Sequence, residues 1–322
     1  MRQNADTKTR VVLFRRDFQR FTGGHLKVWD YFNHVASSAN YEPRISFTAS
    51  SKWDRTNPWF KSRDRVVDWN LKNADLLFLA GTDWRALSEP DQTRSSRPIF
   101  NLIQHPRHAQ FGSELRGFLR NRAIRICVSE EVAQALRGTG EVNGPLFVIP
   151  NGIDQSAFPD APKPLAERPT DLLICGLKSP ELARECYRRL SGSGRIVRWL
   201  IDWVPRADFL SHLAQAKMTL FLPRKEEGFY LPALEGMGAG TLVVCADCVG
   251  NRSFCLDRVN CVRPQNEKEA IVTATQEAMR LGPAAQEKMI ANGLETFRQH
   301  SLENERAAFL PLLEKAEELW KG

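Results

Sequence analysis

No run of this sequence comes near the roughly twenty consecutive apolar residues that a membrane-spanning helix requires. The opening MRQNADTKTR is basic but lacks the apolar core of a secretory leader. Neither a spanning segment nor export is therefore expected, and the chain reads as cytoplasmic. Nothing in the composition suggests disorder. Its 322 residues, 42% hydrophobic and 26% charged, are those of an ordinary globular protein long enough for two domains with separate cores. Paired cysteine knuckles are missing as well. Of the seven cysteines, Cys127, Cys175 and Cys245 lie in strand-like apolar runs, as reduced core residues do. Only Cys245 and Cys248 make a C-x2-C, and Cys255 and Cys261 follow after six and five intervening residues, a poor match to a four-thiolate zinc site.

Charge is unevenly spread. Residues 1–160 hold 23 Lys and Arg against 17 Asp and Glu, a net of +6, whereas residues 161–322 hold 22 against 21, a net of +1. Arg15, Arg16 and Arg20 interleaved with Phe14, Phe18 and Phe21 hint at a nucleic-acid surface. A bland basic surface, or one facing anionic lipid or a phosphorylated acceptor, is the better reading, so no nucleic acid is expected as a partner.

Taken in order, strand and helix patterns alternate, which predicts an α/β protein with parallel sheets covered on both faces. Strands are predicted at Arg10 to Phe14, Arg44 to Thr48, Asp75 to Ala80, Pro98 to Ile103, Ala123 to Val128 and Leu146 to Ile149. Leu26 to Ala36 reads as a helix, and Gly23 and Gly24 just before it allow a ligand to approach the backbone. His105 stands at the C-terminal end of the fourth strand, where open parallel sheets bind ligands, with His108 as the fallback; a loop histidine serving only its neighbours is the competing reading. Ser129 is placed to cap a helix. Later strands are predicted at Asp171 to Gly176, Arg195 to Ile201 and Asn260 to Val262, and helices at Phe209 to Ala216, Lys268 to Met279, Ala284 to Gln299 and Leu302 to Trp320, the last kinked or restarted at Pro311.

The chain is organised around Met218 to Cys245, MTLFLPRKEEGFYLPALEGMGAGTLVVC. Apolar runs at Thr219 to Leu222 and Thr241 to Cys245 suit buried parallel strands. Between them Glu227 lies in a loop, Pro232 suits the first residue of a helix, and Glu235 falls inside its first turn. Free amides and the positive dipole end at such a helix start form a seat for phosphate. Two carboxylates eight residues apart then suit the hydroxyls of a ligand whose diphosphate rests there.

This segment resembles the E-x7-E signature of retaining glycosyltransferases of family 4, with Glu227-Gly228-Phe229-Tyr230-Leu231-Pro232-Ala233-Leu234-Glu235 standing for its E-G-F-G-L-P-x-x-E. Val148-Ile149-Pro150-Asn151-Gly152-Ile153-Asp154 is similar to the same family's V-I-P-N-G-V-D. The resemblance implies a GT-B fold: two Rossmann-like domains facing across a cleft, with a C-terminal helix crossing back to the first. The corresponding boundaries are 1–155 for an acceptor-side domain, 156–170 for a linker, 171–300 for a nucleotide-sugar domain and 301–322 for the crossover helix. It further implies a donor site of Gly176, Lys178, Val204, Glu227, Gly228, Phe229, Tyr230, Leu231 and Glu235, and an acceptor side with Gly23, Gly24 and His105. Lys178 would stabilise the leaving diphosphate, Glu227 orient sugar hydroxyls, Glu235 hold the ribose, and His105 meet the sugar.

Two departures weigh against that pattern. Leu177 stands where relatives carry an Arg for the diphosphate, and Tyr230 stands where they carry Gly. Arg184, Arg206, Arg224 and Lys225 are the cations available to replace the Arg. With no D-x-D motif in the segments concerned, the expectation is a metal-independent retaining transfer from a UDP-, GDP-, ADP- or TDP-sugar. The acceptor would be a glycan, lipid-linked or phosphorylated molecule of envelope or exopolysaccharide synthesis, met by a cytoplasmic protein with peripheral contact to an anionic membrane. A degenerate member that binds without turnover is the alternative.

Overall fold

A computed structural model describes residues 9–192 and 194–322. Two compact units result, one holding the residues up to Pro150 together with Glu303–Gly322, the other Asn151–Leu302.

The first unit is built on a six-stranded parallel sheet of order β2-β1-β3-β4-β5-β6. Its strands are β1 (Arg10–Arg16), β2 (Tyr41–Phe47), β3 (Leu76–Ala80), β4 (Ile99–Ile103), β5 (Ile124–Cys127) and β6 (Leu146–Val148). Every residue of β3 and β4 is buried, as befits central strands covered on both faces. The crossovers include α1 (Gly23–Ala36), α2 (Glu89–Arg94), α3 (Glu114–Gly117) and α4 (Glu130–Arg137), the last capped by Ser129, whose side chain accepts from Val132 N at 3.3 Å. Helix α1 starts at the glycine pair rather than at Leu26: the Thr22 hydroxyl accepts from His25 N, making Gly23 and Gly24 its first turn. Phe14 stacks on Phe78 and meets Phe32 edge-on, at centroid separations of 4.6 and 5.3 Å.

The second unit carries a four-stranded parallel sheet of order β10-β9-β7-β8. Its strands are β7 (Thr170–Cys175), β8 (Val197–Leu200), β9 (Ala216–Phe221) and β10 (Leu242–Cys245), and its helices α5 (Pro180–Leu190), α6 (Arg206–Ala214), α7 (Leu231–Gly238), α8 (Lys268–Met279) and α9 (Pro283–Gln299). Asn260 to Val262 does not form the expected strand; Val262 makes only an isolated bridge to Val244. The cause is Asn260, whose buried amide accepts from Leu256 N and donates to Phe254 O and Thr296 Oγ1, each at 2.8 Å, which holds the segment as a turn. All seven cysteines are free and buried.

Chain continues through α10 (Leu302–Glu314) and α11 (Ala316–Lys321). Pro311 does not break the helix where expected, because its missing N–H removes one bond while Lys315 N still donates to Pro311 O at 3.2 Å; the break comes at Lys315. Phe309, Leu313 and Ala316 are buried in the first unit, Phe309 edge-on to Tyr31 at 4.9 Å. Lys27 of α1 is buried beside them, its ammonium on Asp30 and on Glu305 of α10.

Candidate functional site

Strands β7 and β9 pair in parallel with Cys175 opposite Phe221, and Leu222 N donates to Cys175 O at 3.1 Å, so the loops leaving both strands run side by side. Gly176 opens the first loop. A Cβ there would lie 2.2 Å from the Ala183 Cβ, so glycine is what lets α5 pack this close. The exposed Lys178 ammonium lies 3.4 Å from a carboxylate oxygen of Glu227 in the second loop. That loop is pinned along its length: Asn266 donates to Pro223 O, Val249 N to Lys225 O and Tyr230 N to Gly250 O, at 3.1, 3.0 and 2.9 Å. Gly250 comes so near that an added Cβ would fall 2.4 Å from Phe229 N.

Helix α7 begins at Leu231, which makes Pro232 its second residue and puts Glu235 fifth, in the second turn rather than the first. The amides expected to be free at this helix start are largely engaged. Tyr230 N bonds to Gly250 O, Leu231 N to Phe229 O at 3.2 Å and Ala233 N to Tyr230 O at 3.2 Å, while Pro232 has none to offer. The dipole remains, but less of the phosphate seat is N–H than the sequence implied. Tyr230 does not crowd the loop. Its ring turns into the core, 5% exposed and edge-on to Phe221, and burial raises its hydroxyl well above the usual tyrosine range.

Glu235 is buried, 4% exposed, with its carboxylate on the guanidinium of Arg206 at the start of α6. Burial raises its pKa and Arg206 pulls the other way. Val204 is half-buried on the segment between β8 and α6, next to Trp203, which is 61% exposed. Arg206, only one of several candidate cations in the sequence, thus joins this segment to Glu235, and a separation of 29 in the chain gave no sign of it.

In the first unit the glycine turn and the loop after β4 meet, through a bond from Gln104 Nε2 to Gly24 O at 3.2 Å. Gln104 went unnoticed in the sequence. His105 Nδ1 accepts from Arg107 N at 3.1 Å, capping the turn Pro106–Ala109. His108 is 4% exposed, and burial, helped by Arg107, pushes its pKa down to about 3, which makes it a neutral core residue. Among the described residues no group of three or more His, Cys, Asp or Glu side chains is arranged to hold a metal ion.

Residues 154–280 match the family described as Glycosyl transferases group 1. The whole fold is similar to that of sucrose-phosphate synthase from Thermosynechococcus elongatus, at 14% identity and a TM-score of 0.71, covering 95% of this chain and 98% of the other. HepE from Anabaena, solved in complex with UDP-glucose, is similar at 14% identity and a TM-score of 0.74, covering 95% and 99%. An α,α-trehalose-phosphate synthase (UDP-forming) from Burkholderia vietnamiensis is similar at 12% and 0.65, covering 96% and 99%. At these identities the likeness establishes the fold. No curated protein matches the chain.

Proposed function

We propose, from the match of residues 154–280 to the glycosyl transferases group 1 and from the GT-B fold, that the chain moves a sugar from a nucleotide-sugar donor to an acceptor, with retention at the anomeric carbon and without a metal. The observation that carries this reading is the approach of Lys178 to Glu227, 3.4 Å apart on two loops that the β7–β9 register places side by side. A cation for the leaving diphosphate and a carboxylate for sugar hydroxyls belong together at such a point. Support for a uridine nucleotide comes from HepE, whose structures hold UDP and UDP-glucose, so UDP-sugars are tested ahead of GDP-, ADP- and TDP-sugars.

In this reaction the bond from the anomeric carbon to the diphosphate oxygen breaks, and the acceptor hydroxyl forms the new bond on the same face while its proton passes to the departing diphosphate. Lys178 stabilises the charge that develops on the leaving group, and Glu227 orients the oxocarbenium-like sugar through its hydroxyls. Glu235 takes the ribose once Arg206 shares or yields its carboxylate, and main chain at Val204 faces the base. The acceptor side is assigned to the first unit, with Gly23, Gly24 and His105 on its strand edge. Its basic excess fits a phosphorylated or lipid-linked glycan, and a cytoplasmic protein in peripheral contact with an anionic membrane. No helix among the described residues is long and apolar enough to cross one.

The test is metal-free incubation with each glucose nucleotide, in the presence of EDTA, following release of the nucleoside diphosphate and the anomeric configuration of the product by NMR. Release with an α-configured product from an α-donor, lost in Glu227→Gln, supports the proposal. An inverted product overturns the retaining mechanism, and activity that EDTA abolishes overturns metal independence.

A further inference from the structure

We propose that Arg224 supplies the second diphosphate-binding cation of the donor site, the one that Leu177 does not provide. The inference rests on the nucleotide-sugar reading above and names a residue within that site. Continuing the β7–β9 register beyond Cys175 and Phe221 by three residues sets Lys178 opposite Arg224. The Arg224 side chain reaches across at that point, its Nε donating to the Lys178 carbonyl at 3.4 Å. Among the described residues no carboxylate pairs with Arg224, which is exposed, while Glu227 is within reach of Lys178 alone.

Of the other candidate cations, Arg206 is on Glu235 and Arg184 is on Glu181, while the Lys225 carbonyl is tied to Val249 N in the turn that presents Arg224. Leu177, 50% exposed, contributes no charge in the first loop. A guanidinium set against the Lys178 main chain with no carboxylate of its own is a cation that a dianionic ligand engages. The need for a second cation is also greater here, because the Tyr230, Leu231 and Ala233 amides are already bonded. A guanidinium binds two phosphate oxygens at once, which an ammonium does not. The backbone of Arg224 is fixed for the task, since its carbonyl accepts from Glu227 N at 3.3 Å and the Pro223 carbonyl is held by Asn266.

The experiment compares the wild-type chain with Arg224→Gln, Arg184→Gln, and the double variant Arg224→Gln with Leu177→Arg. Calorimetric titration uses UDP, GDP, ADP and TDP, and uridine, guanosine, adenosine and thymidine as competitors. Arg224→Gln should weaken the binding of the preferred diphosphate roughly 10- to 100-fold, as loss of a charge-assisted phosphate contact does. Affinity for the matching nucleoside should stay the same, and Arg184→Gln should change neither. Adding Leu177→Arg should recover most of the lost affinity, because it restores the charge from the opposite loop. Wild-type diphosphate binding that Arg224→Gln leaves intact overturns the inference while the donor reading stands. Equal weakening of nucleoside and diphosphate also overturns it, by showing a general distortion. A folded wild-type chain that binds none of the four diphosphates overturns the donor reading and this inference with it.

Discussion

Replacing Glu305 by Ala removes one partner of a buried ammonium and should unlock the C-terminal helix from the first unit. Lys27 is 1% exposed and Glu305 2%, and Asp30 lies 2.8 Å from the ammonium. Burial alone would push Lys27 down, but Glu305 and Asp30 outweigh it and hold its pKa above the usual lysine value. Breaking a buried pair by deleting one member costs about 3–5 kcal/mol. Asp30 stays behind in the Glu305→Ala variant, so about 3 kcal/mol, the low end, is expected. In the double variant Lys27→Met with Glu305→Leu the buried Asp30 loses its cation and takes up a proton instead, so the double variant should cost less than the two single variants together. Urea unfolding followed by tryptophan fluorescence reads this unit selectively, because Trp29, Trp53, Trp59, Trp69, Trp84 and Trp320 lie in it and only Trp199 and Trp203 in the other. With a slope of about 2 kcal/mol per molar urea, the midpoint should fall by about 1.5 M for Glu305→Ala. A fall below about 0.3 M, or a double variant whose cost equals the sum of the two single ones, would refute the reasoning.

Gly250→Ala should disorder the loop from Glu227 to Tyr230, since the new Cβ would meet Phe229 N at 2.4 Å, and diphosphate affinity measured by calorimetry should drop at least tenfold with the first unit's unfolding midpoint unmoved. Tyr230→Ala should cost about 3–5 kcal/mol of second-unit stability by leaving a cavity. It should not tighten nucleotide binding, because the ring is already in the core beside Phe221; tighter binding would mean that the ring obstructs the phosphates. His108 keeps a pKa of about 3 in the folded chain against an ordinary 6.5, so below pH 6.5 the unfolded chain takes up a proton that the folded one refuses. Stability of the first unit should fall with acidification by up to about 1.4 kcal/mol per pH unit from this group, a slope that His108→Leu should lack in urea titrations at pH 4.5, 5.5 and 6.5.

What could be read from the sequence followed from local periodicity. The strands of both sheets and helices such as α8 lay within a few residues of their predicted positions, because apolar runs and helical spacing report burial directly. The approach of Lys178 to Glu227 was legible for the same reason: both lie on loops that leave neighbouring strands, and parallel registers bring strand ends together. Pairings between distant positions left no local mark. Arg206 on Glu235 and Lys27 on Glu305 depend on which helices pack together, and neither partner looks unusual in its own segment. Nor did sequence foretell the side-chain direction of Tyr230, which a rotamer decides, or the turn at Asn260, where one buried amide with three partners overrode a strand-like apolar pattern.

The central claim is that the edge formed by β7 and β9 holds a nucleoside diphosphate without a metal. Titration of the folded wild-type chain with UDP in EDTA tests it most directly, with GDP, ADP and TDP run alongside and Glu235→Ala as the comparison. Micromolar binding of one of the four, weakened at least tenfold in Glu235→Ala, is the predicted result. Absence of binding to all four, or binding that Glu235→Ala leaves unchanged, would contradict the account.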